Sequence, residues 1–299
     1  MMLGSHTGGI FMQNITGHTG FTALLGSPVS HSISPLMHNE AFRLLNLDYV
    51  YLCFDVNESG LYEAVQGLKT CGIRGFNLTM PDKNKIVEYL DELSPAASLI
   101  GAVNTVVNDH GRLIGHNTDG IGYMRSVTDA GHDIIGKTIT VMGAGGAATA
   151  ICAQAALDGV RKIHIFLRRS SRHWDRTQKL ADSIHRTTAC SICIHENEDT
   201  AAQKAAIEES ALLLNATSVG MSPNTDQTIL TDTSLLRPDL IVSDVIYQPR
   251  ETRFLREARE AGCPTFNGMY MLLYQGAEAF RLWTGRDMPV DIIKEKYFR

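Results

Sequence analysis

The chain has 299 residues, of which 44% are hydrophobic and 20% charged, a balance that suits a folded protein of one large or two ordinary domains. Lys and Arg number 27 against 32 Asp and Glu, a formal net charge of −5 with no basic footprint for nucleic acid or anionic lipid. Apolar runs such as 211–214 fall far short of the roughly 20 residues that cross a bilayer, so neither nucleic acid nor a membrane is expected as a partner.

The first dozen residues are aperiodic and read as a frayed tail ahead of a start at Met12. No Lys or Arg precedes Arg43, which argues against a secretory signal or transit peptide. Residues 22–25 read as a short strand and 34–45 as a helix, with Ser34 before Pro35 as its N-cap. Strand 49–56, helix 61–70 and strand 75–80 follow, then a helix over 84–93 with Ile86, Tyr89 and Leu90 on one face. Residues 102–108 and 112–116 flank Asp109-His110-Gly111 as a hairpin, and 123–131 reads as helix. The second half alternates more regularly. Strands are expected at 138–142, 162–167, 191–195, 212–216, 240–245 and near Thr265, with helices at 147–158, 174–185, 252–261, 270–283 and 290–297. Such alternation implies an α/β protein with mainly parallel sheet and helices on both faces.

Six cysteines, at 53, 71, 152, 190, 193 and 263, read as free thiols suited to a reducing cytoplasm. Cys190 and Cys193 form a lone CxxC on a strand, without a second pair, and read as structural thiols. The histidines fall in no metal-ligand spacing, so no metal is expected.

Gly143-Ala144-Gly145-Gly146-Ala147-Ala148 matches G-x-G-x-x-A between a strand and a helix. In that context the glycines allow a tight turn and close backbone approach to a pyrophosphate at the helix N-terminus. The next strand ends in Leu167-Arg168-Arg169-Ser170-Ser171-Arg172, with no acid before Asp175 to take a ribose 2′-hydroxyl. Arginine matches a 2′-phosphate by charge and bidentate bonding, so NADP is favoured over NAD.

Four polar clusters in the first half exceed what a core needs. Ser30-His31-Ser32-Ile33-Ser34 puts two hydroxyls at a helix start, a place for a carboxylate. Asn77-Leu78-Thr79-Met80-Pro81-Asp82-Lys83 puts Asn77 and Thr79 on one strand face and Lys83 in the first turn of the expected helix, whose positive end disfavours an ammonium. Gly101 to Thr105 and Gly115 to Gly120 supply Asn104 and Asp119. Asp119 is by default an N-cap; paired with Lys83 it would orient the ammonium, with Thr118 or Asn117 left to cap.

In this order the motifs SPVSHSISPLMHN, NLTMPDK, GAVNT, GHNTDG, GAGGAA, ATSVGM, VIYQP and MLLYQGAEAF resemble the shikimate dehydrogenase family, including its quinate/shikimate branch, from about Leu24 to Trp283. The resemblance implies reversible NADP-linked reduction of 3-dehydroshikimate to shikimate in aromatic amino-acid biosynthesis. It implies an N-terminal α/β substrate domain over 1–120, completed by C-terminal helices at 270–299, and a Rossmann-type doubly wound NAD(P) domain over 121–269. Lys83 and Asp119 would be the catalytic pair. Ser32 and Ser34 would hold the substrate carboxylate, and Thr79, Asn104 and Gln275 its hydroxyls, with Asn77 and Tyr247 nearby. Gly143, Ala144, Gly145, Gly146 and Ala147 would hold the pyrophosphate, Arg168, Arg169 and Arg172 the 2′-phosphate end, and Thr217 and Gly268 the rest of the cofactor. The assembly considered is a homodimer.

Three positions depart from the family pattern. Leu167 replaces the usual Asn, Ser170 stands where the quinate/shikimate branch tends to be acidic, and Tyr270 replaces a Gly near the nicotinamide, where its ring would need room. The alternatives are an NAD-using quinate/shikimate dehydrogenase and a non-enzymatic metabolite sensor. A sensor has no need of a proton-transfer pair.

Overall fold

The structure, a computed structural model, describes residues 15–298; the tail expected over the first dozen residues lies outside them. Apolar, β-branched stretches build β1 (Gly20–Gly26), followed by α1 (Ser34–Leu44), β2 (Tyr49–Asp55), α2 (Leu61–Thr70) and β3 (Gly75–Leu78). These three strands pair in parallel, β1 lying between β2 and β3. Then come β4 (Glu92–Leu93), α3 (Pro95–Ile100), β5 (Thr105–Asp109) and β6 (Arg112–His116), giving the sheet order β2-β1-β3-β5-β6-β4.

Three of its five strand pairings are parallel, as expected, and β5 runs antiparallel to β3 and β6. The expected hairpin accounts for the β5–β6 pairing: His110 and Gly111 both take positive φ, 51° and 91°, as a tight two-residue reversal requires. The helix expected over 84–93 does not form. Only a 3₁₀ turn at Lys85–Tyr89 forms before β4 joins β6. Asp91 draws the chain across: its backbone N–H donates to Leu113 O at 2.9 Å, and its carboxylate accepts from Leu113 N at 2.7 Å. An unexpected helix, α3, follows, with Ser94 Oγ accepting from Ala97 N, Pro95 in its first turn and left-handed Gly101 closing it.

Next, α4 (Asp119–Asp129) leads into β7 (Thr138–Met142), α5 (Gly146–Asp158), β8 (Lys162–Leu167), α6 (Trp174–Thr187), β9 (Ser191–Glu196), α7 (Thr200–Glu209) and β10 (Leu212–Asn215). The chain continues through β11 (Ile241–Asp244), α8 (Arg253–Glu260), β12 (Thr265–Phe266), α9 (Met269–Thr284) and α10 (Val290–Tyr297). Here every strand pair is parallel and the order is β12-β11-β10-β7-β8-β9. That is the doubly wound order, with its switch point between β7 and β10. The small side chains of α5 (Ala148, Ala150, Ala153, Ala155 and Ala156) are all buried, letting it lie close on the sheet. Helix α7 escaped the sequence reading because only Ala206 and Ile207 of its ten residues are buried, too few to set a helical period.

The C-terminal helices return to the first sheet. Trp283 of α9 donates its indole N–H to Val106 O at 3.0 Å, and Arg74 Nε donates to Trp283 O at 2.7 Å. Beside it, His38 is fully buried, stacked on Tyr51 at 4.4 Å and flanked by Phe280. Neither ring nitrogen of His38 has a partner. Burial therefore holds its pKa down from 6.5 to about 3. The neutral form is the folded one, so stability present above pH 6.5 is lost as the pH falls towards 3, at about 1.4 kcal/mol per unit. Replacing it with an apolar ring, His38→Phe, should flatten the fall in Tm between pH 7 and pH 5, read by thermal melts; an unchanged slope would mean that His38 carries no acid sensitivity.

Candidate active site

A cavity of about 950 Å³ opens where the N-termini of α1, α4, α5 and α9 converge. Helix α1 and strand β3 reach it because their preceding or following loops leave the carboxyl edge of the first sheet. Ser32, Ser34, Asn77, Thr79, Lys83 and Asn104 line it from that side. Asp119 enters from α4, Gln275 from α9 and Tyr247 from the loop after β11. The structure thus brings together all nine residues expected for catalysis and substrate binding.

Lys83 and Asp119, 36 residues apart in sequence, meet with Nζ donating to Asp119 Oδ2 at 2.7 Å. Their side chains are 30% and 15% exposed, shielded yet open to a ligand. The other carboxylate oxygen, Oδ1, accepts from Asn104 Nδ2 at 2.8 Å. Lys83 does not stand in a helix's first turn as expected. It lies in turns ahead of the 3₁₀ segment, and its partner is Asp119 at the start of α4.

Asn104 is the hub. Its Nδ2 also donates to Thr118 Oγ1 at 3.0 Å and reaches Gln275 Oε1 at 3.5 Å, while its Oδ1 accepts from Thr118 N at 2.8 Å. Asn77 has both amide ends on protein: Nδ2 donates to Asn104 O and Thr105 Oγ1, and Oδ1 accepts from the buried Tyr51 hydroxyl at 2.8 Å. Tyr51, Thr105 and Thr118 were missed as site residues. Thr105, inside GAVNT, and Thr118, inside GHNTDG, both stood in motifs the sequence singles out, Thr118 with Asn117 as a candidate cap, whereas Tyr51 carried no signal. The Thr118 hydroxyl does not cap α4; Asn117 Oδ1 accepts from Asp119 N at 3.2 Å instead. Likewise Ser34 is not the N-cap of α1. Ile33 holds that position, and Ser34 N donates to Ser32 Oγ at 3.2 Å.

Two close approaches set the geometry, Gly120 of α4 against Ala150 O of α5 and Gly122 against α9. A Cβ on Gly122 would lie 2.6 Å from Gln275 N and 2.7 Å from Met271 O, backbone that cannot yield cheaply. Glycine there lets α4 wedge against α9, bringing Asp119 and Gln275 to one cavity. Gly122→Ala should cost about 1–3 kcal/mol of stability by overpacking and lower kcat/KM as both groups shift. Wild-type melting and kinetics in this variant would show that the contact is not limiting.

The second sheet presents a dinucleotide cradle at its switch point. Gly143 takes φ +113°, and a Cβ there would lie 2.7 Å from Thr217 Cγ2, so β7 can turn sharply beside β10 only with glycine. Gly145 and Gly146, at the start of α5, have open space where side chains would be. An anion can therefore approach the free N–H groups of the first turn, with Ala144 beneath and Ala147 on the cavity wall. Gly268 also faces the cavity, and a Cβ on it would strike Val245 O.

Arg168, Arg169 and Arg172 are exposed on the loop after β8. Arg169 is engaged locally, 3.4 Å from Glu196 and stacked 4.9 Å over the Trp174 ring. Arg168 and Arg172 have no ion pair among the described residues. Leu167 is buried in the core of the second sheet. Tyr270 does not crowd the cavity. Its ring packs under Lys294 Nζ of α10 at 4.0 Å, and it is not a lining residue.

Residues 24–106 match the shikimate dehydrogenase substrate binding domain, and residues 268–296 the shikimate 5′-dehydrogenase C-terminal domain. The chain is 53% identical to a shikimate dehydrogenase (NADP(+)) of Listeria innocua over 286 residues, 96% of this chain and 98% of that one. It is 49% identical to a shikimate dehydrogenase (NADP(+)) of Streptococcus pyogenes over 285 residues, 94% and 97% of the two chains. The crystal structure of shikimate 5-dehydrogenase from Listeria monocytogenes with shikimate and NAD superposes with TM-score 0.92 at 53% identity, covering 95% of this chain and 98% of that one.

Proposed function

The chain belongs to the shikimate dehydrogenase family, and from that premise we propose that it catalyses the reversible NADP-linked reduction of 3-dehydroshikimate to shikimate. The observation that carries the reading is the Lys83–Asp119 pair, bridged by Asn104, in a cavity shared by hydroxyl-bearing side chains and a dinucleotide cradle. The division of labour follows the two sheets: residues 1–120 with 270–299 bind the substrate, and 121–269 bind the dinucleotide.

The glycine loop, Thr217 and Gly268 would hold the dinucleotide, with Arg168 and Arg172 at its 2′-phosphate; when bound, it supplies the hydride. Arg169, already held by Glu196 and Trp174, shapes that loop. At the other end, Ser32 and Ser34 donate to the substrate carboxylate beside the N-terminus of α1. Thr79, Asn104 and Gln275 read the ring hydroxyls, and Tyr247 covers them from the second sheet. Asn77, bonded on both ends, positions Asn104 through its backbone. As the ketone is reduced, negative charge grows on its oxygen. Lys83 stabilises that charge and gives the oxygen a proton, while Asp119 keeps the ammonium aimed. In the oxidative direction the same nitrogen takes the proton back.

The substrate is a small-molecule acid, and among the described residues no helix is long and apolar enough to cross a membrane. All six cysteines are free, which suits the cytoplasmic location this reading carries.

The test is near-ultraviolet absorbance of the reduced nicotinamide, with shikimate and quinate each paired with NADP⁺ and NAD⁺. Reduction fastest with shikimate and NADP⁺ is the expected result. A preference for quinate with NAD⁺ would place the protein in the quinate/shikimate branch. Ligand binding without turnover in any pairing would make it a sensor and overturn the reading.

A further inference from the structure

Strand β9 is the open edge of the second sheet, paired in parallel with β8 so that His164 lies opposite Cys193 and Phe166 opposite His195. Side chains two apart share a strand face. Cys190, Ile192 and Ile194 belong with the apolar core on one face. Cys193 and His195 therefore project from the other, beside His164. The CxxC thus splits between two faces, and Cys193 finds its neighbours across the strands. One ligand atom each of His164, Cys193 and His195 lies within 4.8 Å of the other two. His164 is buried and the other two are half-buried.

Both nitrogens of His164 are committed in a particular way. Nε2 lies 2.6 Å from Glu209 Oε1, and Nδ1 lies 2.8 Å from His195 Nε2. A carboxylate only accepts, so the His164 proton sits on Nε2 and the lone pair of Nδ1 points at Cys193 and His195. A carboxylate holding the outer N–H of a histidine is the usual support of a metal-bound imidazole. Burial lowers the pKa of both imidazoles, which favours the neutral, ligating form. Lys162 Nζ donates to the same oxygen, Glu209 Oε1, at 2.8 Å, so the carboxylate stands between that ammonium and the His164 ring as the shared partner of both.

We propose that His164, Cys193 and His195 bind one zinc-class divalent ion, with Glu209 orienting His164 and water in the fourth position. Two imidazoles and a thiolate suit borderline-soft Zn²⁺ and not oxygen-seeking Mg²⁺ or Ca²⁺. The imidazole nitrogens would part to about 3.3 Å, the spacing of tetrahedral ligands about 2.0 Å from the metal, and half-buried side chains on an edge strand can make that adjustment. On binding, the Cys193 thiol loses its proton to solvent and His195 carries its remaining proton on Nδ1. None of the three residues lines the catalytic cavity, so the ion would clamp the edge strand and raise stability without entering the reaction. The sequence showed no such spacing because the ligands sit on neighbouring strands, 29 residues apart.

The whole protein, freed of metal and reduced with a non-chelating phosphine, is titrated with Co²⁺ and then Zn²⁺. One Co²⁺ per chain should bind with a thiolate-to-cobalt charge-transfer band and the visible bands of four-coordination, and Zn²⁺ should displace it. Zn²⁺ in excess should raise Tm by about 5 °C or more. Cys193→Ser and His195→Asn should lose both the band and the shift, whereas Cys190→Ser, on the opposite face, should keep them. Melting of the metal-free variants checks that they fold. A missing thiolate band, or one that survives Cys193→Ser in folded protein, would overturn the site.

Discussion

Lys83→Met should lower kcat for shikimate oxidation by about 10³-fold or more while shikimate affinity, measured by equilibrium titration, changes little. Methionine keeps the length of the side chain and removes both the charge and the proton. The loss falls on the step where the oxygen changes charge, because the carboxylate and hydroxyls of the substrate are held by other residues. The substitution leaves Asp119 without its 2.7 Å partner, so some loss could come from a stray carboxylate. The double variant with Asp119→Asn separates the two. If Lys83 moves the proton, neutralising Asp119 does not restore turnover. Near-wild-type turnover in Lys83→Met would remove this lysine from the mechanism.

Replacing Arg168 and Arg172 together with alanine should lower kcat/KM for NADP⁺ by about 10²-fold and leave that for NAD⁺ within a few fold. The two dinucleotides differ only in the 2′-phosphate, so an effect confined to NADP⁺ isolates that contact. Arg169→Ala serves as the contrast. It breaks the Glu196 pair and the Trp174 stack, and should weaken both dinucleotides alike by loosening the loop. Equal losses for NADP⁺ and NAD⁺ in the double variant would mean that the arginines shape the loop and do not read the phosphate. The loss should shrink as salt rises, since the contact is exposed and charged.

Much of this was legible where local chemistry and tertiary structure agree. The glycine loop needed only a strand before it and a helix after it, and β7 and α5 supply both. The polar clusters stood out because a core has no use for so many hydroxyls and amides. Residues 84–93 show the limit. Ile86, Tyr89 and Leu90 have helical spacing, yet Asp91, through its backbone N–H and its carboxylate, bonds to Leu113 and draws the chain into the sheet. Helix α7 was silent because it rests on the surface with few buried contacts. The meeting of Lys83 with Asp119 could not be read from spacing, since it depends on α4 wedging between α5 and α9 through Gly120 and Gly122. The hub role of Asn104 depends on the same wedge.

The protein has only two tryptophans, and the fold assigns one to each sheet. Trp283 is 1% exposed, locked between α9 and the first sheet, whereas Trp174 is half-buried under Arg169 at the arginine loop. Intrinsic fluorescence is therefore a two-channel reporter that needs no label. Trp283 should emit at short wavelength, resist iodide and follow the melting of the first sheet. Trp174 should emit further to the red and be open to iodide. Its emission should respond when a dinucleotide settles on the loop. Single Trp→Phe variants would give each channel alone, so that cofactor docking and the unfolding of the substrate-binding half can be timed separately in one sample.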